Sequence, residues 1–239
     1  MKKRIILLTL FASLFIMAWG LSISEIQYTT FPGSDNTYPS RYAGKAVSTE
    51  GIVVAIGYKS GGFFISEPVT GPYSGLLVLS PQSQVRVGDR IHISGTVQET
   101  FGMTTLQDIT ALSIIERNHP LPHPVSLTTA QLTRAVEAEA YEGVYARVLS
   151  VSSAGRNRSS NRFMINDGTG MCAVLLGSFG RSGSGQSKDI GTQFSSITGI
   201  VTFSFAEFSL NPIANSDIVL NQPVSIQSRS WGKIKSIYK

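Results

Sequence analysis

Cysteine is nearly absent. Cys172 is the only one in 239 residues, so no intramolecular disulfide braces the chain. It lies in the apolar run 171–176, where a buried, inert thiol is expected. Histidine is scarce too. His119 and His123 are four apart, but Pro120 and Pro122 between them exclude the helical face that a metal pair would use. His92 stands alone in a strand pattern and reads as a structural histidine. Serines are many, yet no nucleophile-elbow motif accompanies them. Asp167-Gly168-Thr169-Gly170 reads as a hairpin turn and not as a phosphate loop. No enzyme, metal site or cofactor is expected from these absences.

Excess charge is missing as well. The formal +5 comes from the ends: Lys2, Lys3 and Arg4 at the start, and Arg229, Lys233, Lys235 and Lys239 in the last stretch. Setting those seven aside leaves 13 basic residues against all 15 acidic ones. A body near −2 lacks the basic face of a strong non-specific nucleic-acid binder, so any basic patch must be local. Long apolar runs are confined to 5–19, directly after the three cations and with the small residues Ala18 and Gly20 near its end. That layout predicts a signal peptide over 1–20 and an exported chain beginning near Leu21, bound for the periplasm, the outer surface or the medium.

What the chain has is a repeat. Tyr42-Ala43-Gly44, Phe63-Phe64-Ile65-Ser66, Gly75-Leu76-Leu77-Val78-Leu79, Val87-Gly88-Asp89 and Ile93-Ser94-Gly95-Thr96-Val97 occur in order. About a hundred residues later come Tyr141-Glu142-Gly143, Arg162-Phe163-Met164-Ile165-Asn166, Cys172-Ala173-Val174-Leu175-Leu176, Ile190-Gly191-Thr192 and Ile197-Thr198-Gly199-Ile200-Val201. Such a period means one small domain used twice. In the first copy, strands are expected over 47–56, 62–66, 76–79 and 90–98, with a fifth after Phe101-Gly102 and a bulge or bend at Gly51. Five strands so connected suit a small Greek-key barrel that closes its own edges. Pro120, Pro122 and Pro124 mark a linker, and 130–138 carries a helix-favouring composition. Residues 177–189, with four glycines among serines, read as a mobile surface loop.

Tyr42-Ala43-Gly44, Thr49-Glu50-Gly51-Ile52-Val53, Gly62-Phe63-Phe64-Ile65, Val87-Gly88-Asp89-Arg90-Ile91 and Gly95-Thr96-Val97 together resemble the OB-fold domains attached to exported bacterial nucleases. The second copy is similar in Tyr141-Glu142-Gly143 and Phe163-Met164-Ile165-Asn166-Asp167-Gly168. The resemblance implies an all-β chain of two tandem five-stranded OB-type Greek-key barrels with a short inter-domain helix. The units run 21–118 and 139–222, with the linker over 119–138 and a basic, aromatic tail over 223–239. In the nucleases such domains often precede an endonuclease/exonuclease/phosphatase-like catalytic domain. None follows Leu220 here, so the resemblance implies an accessory module without nuclease activity.

OB folds bind on the face of strands two and three, between the first-to-second and fourth-to-fifth strand loops. Projected onto the first unit, this selects Tyr58, Lys59, Phe63, Tyr73 and Phe101, either as stacking and phosphate contacts or as barrel filling. Phe64, pointing opposite to Phe63, is expected in the core. In the second unit Arg156, Arg158 and Arg162 gather at the first-to-second strand loop, while Phe203, Phe205 and Phe208 flank the later turn. Arginines beside aromatics suit phosphate contact plus stacking, or form a solvated loop. The expected partner is single-stranded DNA or RNA. The alternatives are an envelope or extracellular protein, or an exported nuclease to which this chain is an accessory subunit. The tail, with Trp231, Ile234 and Tyr238 on one helical side, suits contact with anionic lipid, nucleic acid or the export machinery.

Overall fold

Each half of the chain closes a five-stranded barrel, and the two barrels have the same topology. The computed structural model describes residues 19–33, 37–59, 61–81, 83–157, 161–180, 189–204 and 206–221. The expected signal peptide up to residue 18, Arg158, Phe205, most of the 177–189 connection and the 223–239 tail lie outside them.

In the first barrel β2 (Ala46–Tyr58), β3 (Gly62–Ser66) and β4 (Gly75–Leu79) form an antiparallel meander. β5 (Arg90–Thr100) and β6 (Met103–Glu116) form a long hairpin. β6 then pairs parallel with β4, and β5 pairs back onto β2, which closes the barrel. The second barrel repeats this with β8 (Tyr145–Asn157), β9 (Arg162–Asn166), β10 (Met171–Leu175), β11 (Gln193–Ser204) and β12 (Glu207–Asn211). A parallel β10–β12 pair and a β11–β8 closure complete it, and β13 (Ile218–Leu220) adds to the outer edge of β11. Alternation along the strands explains the two cores. Val53, Phe63, Ile65, Val78, Ile91, Ile93 and Val97 fill the first barrel. Val148, Phe163, Ile165, Cys172, Val174, Phe194 and Ile197 fill the second.

Two local expectations need correction. Gly51 stays in regular register opposite Ile91, and the irregularities of β2 fall between Val53 and Ala55 and between Ile56 and Tyr58. A glycine is used at 51 because a Cβ there would sit 3.0 Å from both Ile23 Cδ1 and Ile65 Cβ. The helix expected over 130–138 is instead turns followed by the short α2 (Ala135–Glu139).

The reason for those turns is a second repeated device, a strap across the barrel. In the first copy β1 (Trp19–Gly20) pairs parallel with Val47 and Ser48, and the Leu21 N–H donates to the Ser48 carbonyl at 2.9 Å. Ser22 and Glu25 then exchange hydrogen bonds as a capping box that starts α1 (Ile23–Gln27). In the second copy β7 (Val125–Ser126) pairs parallel with Ala146 and Arg147, and Leu127 donates to the Arg147 carbonyl. Thr128 and Gln131 make the same exchange. Both straps are pinned by an acid after the second barrel strand. Ser24 N–H donates to Glu67 at 2.8 Å, and Thr129 donates to Asp167 through its N–H at 2.9 Å and its hydroxyl at 2.6 Å. Burial pushes the Asp167 carboxyl up, but the donors on Thr129 and Thr169 outweigh it and hold it down at about 2.

Candidate functional site

The strand two–three faces of the two barrels meet different fates. On the first barrel the outer face carries Val54, Ala55, Tyr58, Phe64, Leu77 and Met103, and all are buried. Phe179 and Ile200 of the second barrel cover them, with Tyr145, Phe203 and Ile213 packed alongside. Tyr58, Phe64 and Phe179 form an aromatic cluster with centroid separations of 5.1, 5.4 and 6.0 Å. The backbones touch beside it: a Cβ on Gly75 would lie 2.1 Å from the Gly143 carbonyl oxygen. The strand two–three face of the first barrel is therefore a seam between barrels.

This corrects the expectation that Tyr58 and Phe63 stack on a ligand. Phe63 is 2% exposed inside the barrel, and Tyr58 is 2% exposed in the seam. Phe64 is 0% exposed as expected, although what buries it is the second barrel. The start of the 177–189 connection is also better fixed than its composition suggests. Gly177 and Gly180 close a turn that inserts Phe179, and the Ser178 carbonyl accepts the Lys59 N–H at 3.1 Å.

The corresponding face of the second barrel is open. There a groove of about 370 Å³ is lined by Lys59 from the first barrel's β2–β3 turn and by Asn161, Arg162, Leu175, Ser178, Thr202, Ser204, Glu207 and Asn211. Strand alternation puts Phe163 and Ile165 inside and leaves Arg162 outside. It does the same on β12, with Phe208 and Leu210 inside and Glu207 and Asn211 outside. Arg162 and Glu207 are half-buried and joined at 2.6 Å. Lys59, exposed in the left-handed region at φ 44°, holds its ammonium 5.0 Å from the Tyr58 ring centroid. It makes no ion pair among the described residues. The floor is hydrogen-bonded: the Asn211 amide donates to Thr202 Oγ1 at 2.9 Å and to the Ser209 carbonyl at 3.0 Å, and its oxygen accepts from the Ser178 hydroxyl. Among the described residues the groove thus offers one cation without an ion pair, the Arg162–Glu207 pair, several neutral polar groups and the apolar surface of Tyr58, Leu175 and Leu176.

Of the expected residues, Lys59 and Arg162 come together here. Arg156 lies on β8 with its backbone opposite Phe163, but its side chain, like Arg158, lies outside the described residues. Tyr73 stacks edge-on against Tyr28 at 5.2 Å, and its N–H donates to the Ala140 carbonyl. Phe101 is 90% exposed at the tip of the β5–β6 hairpin, at φ 54°. Phe203 and Phe208 pack on each other at 4.8 Å. Glu207, Asn211 and Thr202 escaped the sequence reading. Their outward positions follow from alternation, but their meeting with Arg162 depends on the long-range β10–β12 pairing.

A larger groove, about 640 Å³, runs beside the first strap. Its arginine is already matched, since Glu50 holds Arg90 at 2.9 Å, and the same carboxylate lies 3.8 Å from His92 Nδ1. Cys172 is buried, and burial, then the charges of Asp167 and Glu207, push its thiol up to about 12, which keeps it unreactive.

No family model matches the chain, and no curated protein matches it. Among solved structures it is similar to a murine DNA-binding protein bound with double-stranded DNA, at 14% identity over 70% of this chain and 95% of that one, with a TM-score of 0.32. It is similar to the p204 HINb domain at 13% identity over 69% and 91%, TM-score 0.31. It is also similar to the Ifi202 HINa domain in complex with 20-base-pair double-stranded DNA, at 15% identity over 71% and 95%, TM-score 0.31.

Proposed function

We propose that this chain is an exported, non-catalytic OB-fold binding protein that takes single-stranded nucleic acid in the groove of its second barrel. The observation that carries the reading is the pairing of an open strand two–three face with two convergent cations, Lys59 and Arg162. Lys59 is free to hold a phosphate. Arg162 must first exchange Glu207 for its ligand, so Glu207 limits non-specific attraction and tunes affinity. Export rests on Lys2, Lys3 and Arg4 ahead of the apolar run 5–19, and amino-terminal sequencing of the protein recovered outside the cytoplasm tests it.

Fluorescence anisotropy with labelled single-stranded DNA and RNA across a salt series tests the binding. The Lys59→Ala, Arg162→Ala double variant is expected to bind more weakly and to flatten the salt dependence by about 0.7 in log–log slope for each phosphate it no longer neutralises. Glu207→Gln is expected to bind more tightly than the parent. Absence of salt-dependent binding at micromolar protein rejects the reading. It favours a protein partner instead, an exported nuclease or an envelope component, for which the near-neutral body and the bare Phe101 side chain are the supporting observations.

A further inference from the structure

Beside the aromatic cluster, the seam between the barrels contains acids where apolar groups would be expected. Glu142, in the turn ahead of β8, is 2% exposed, and its Oε1 accepts the Thr104 N–H of the first barrel at 2.8 Å. Its Oε2 is buried with no hydrogen-bond partner among the described residues. Gln27 ties the same turn to the first barrel, donating to the Gly75 carbonyl at 2.7 Å and to the Glu142 carbonyl at 3.5 Å. The titratable groups facing Glu142 are Glu139 from α2 and Glu99 from β5. Glu99 itself accepts the Ser40 N–H and the Thr104 hydroxyl, both at 2.9 Å. Tyr73, ahead of β4, faces Glu139. Neither Glu139 nor Glu142 makes an ion pair among the described residues. An ionised carboxylate buried with one bare oxygen is costly, and a neutral carboxyl at the same place is far less so.

We propose that Glu142 and Glu139 form a proton-dependent latch: protonated, they let the two barrels stay clamped, and on losing protons they force the seam apart. The electrostatics run the same way. Burial, then the charges of Glu139 and Glu99, push Glu142 well above the ordinary carboxylate range, against the smaller pull of the Thr104 N–H. Burial, then Glu99, raises Glu139 to about 8. Both folded-state values exceed the unfolded value of 4.5, so the folded body binds protons more tightly than the unfolded chain. The stability they contribute is complete below that value and is lost as pH rises through about 8. The latch joins two bodies and needs no ligand, so it stands whether or not the groove binds nucleic acid.

The test is the melting temperature of the full chain across the range from about pH 5 to about pH 9, paired with small-angle scattering at both ends. The parent is expected to lose stability with rising pH and to become more extended while its strand spectrum persists. Glu142→Gln keeps the acceptor for Thr104 and removes the titration, so it should match the parent at the acid end and melt several degrees higher at the alkaline end. If Glu142→Gln fails to fold, Glu139→Gln decides, with a shallower pH profile expected. Parallel profiles for parent and variant overturn the latch, as does a flattened profile without any change in the scattering of the parent.

Discussion

Gly75→Ala will drive the barrels apart. The new methyl would stand 2.1 Å from the Gly143 oxygen, 2.4 Å from its carbonyl carbon and 2.7 Å from Val144 Cα, all backbone atoms that no rotamer can move. Gly75 pairs with Ser66 at the start of β4, so the strand cannot shift without breaking the barrel that contains it. Overpacking costs about 1–3 kcal/mol where side chains can adjust, and this site belongs at or above the upper end. For a chain of this size, about 3 kcal/mol corresponds to a fall of about 6–12 °C in melting temperature. Gly71→Ala is the control, because a Cβ there meets nothing within 4 Å. Equal melting temperatures for the two variants would mean that the backbones do not touch in solution.

Phe64→Ala should be at least as damaging and should differ in kind from Phe63→Ala. Both rings are buried, and truncating a buried phenylalanine costs about 3–5 kcal/mol. Phe63 packs inside the first barrel with Ile65 and Val78, so its loss weakens that barrel alone. Phe64 packs on Tyr58 and Phe179, so its loss empties the seam. The expected readout is a lower melting temperature for both and a looser particle by scattering for Phe64→Ala only. If Phe63→Ala alone loosens the particle, the assignment of faces is reversed.

The barrels were legible in the sequence because their signals are local. β3 runs Gly62–Ser66 as its apolar run predicts, and the Val87-Gly88-Asp89 turn forms with Gly88 at φ 87°. The seam was not legible. The run Phe63-Phe64-Ile65 reads the same whether the outer side of its strand meets solvent, ligand or another domain. The strap was present in the letters as Leu21-Ser22 with Glu25 and as Leu127-Thr128 with Gln131, but the prolines at 120–124 drew the segment into a linker. At the groove, Lys59 and Arg162 were found from their loops. Glu207 and Asn211 were not, because what brings them to Arg162 is a parallel pairing across more than thirty residues.

The two copies of this barrel are not interchangeable, and the difference is one of solubility as much as of task. Cut from its neighbour, the first copy would present Val54, Phe64, Leu77 and Met103 to water as one apolar sheet face. Such a face seeks a partner of its own kind, so an isolated first barrel is a candidate for self-association and loss from solution. The second copy carries the insulation for both.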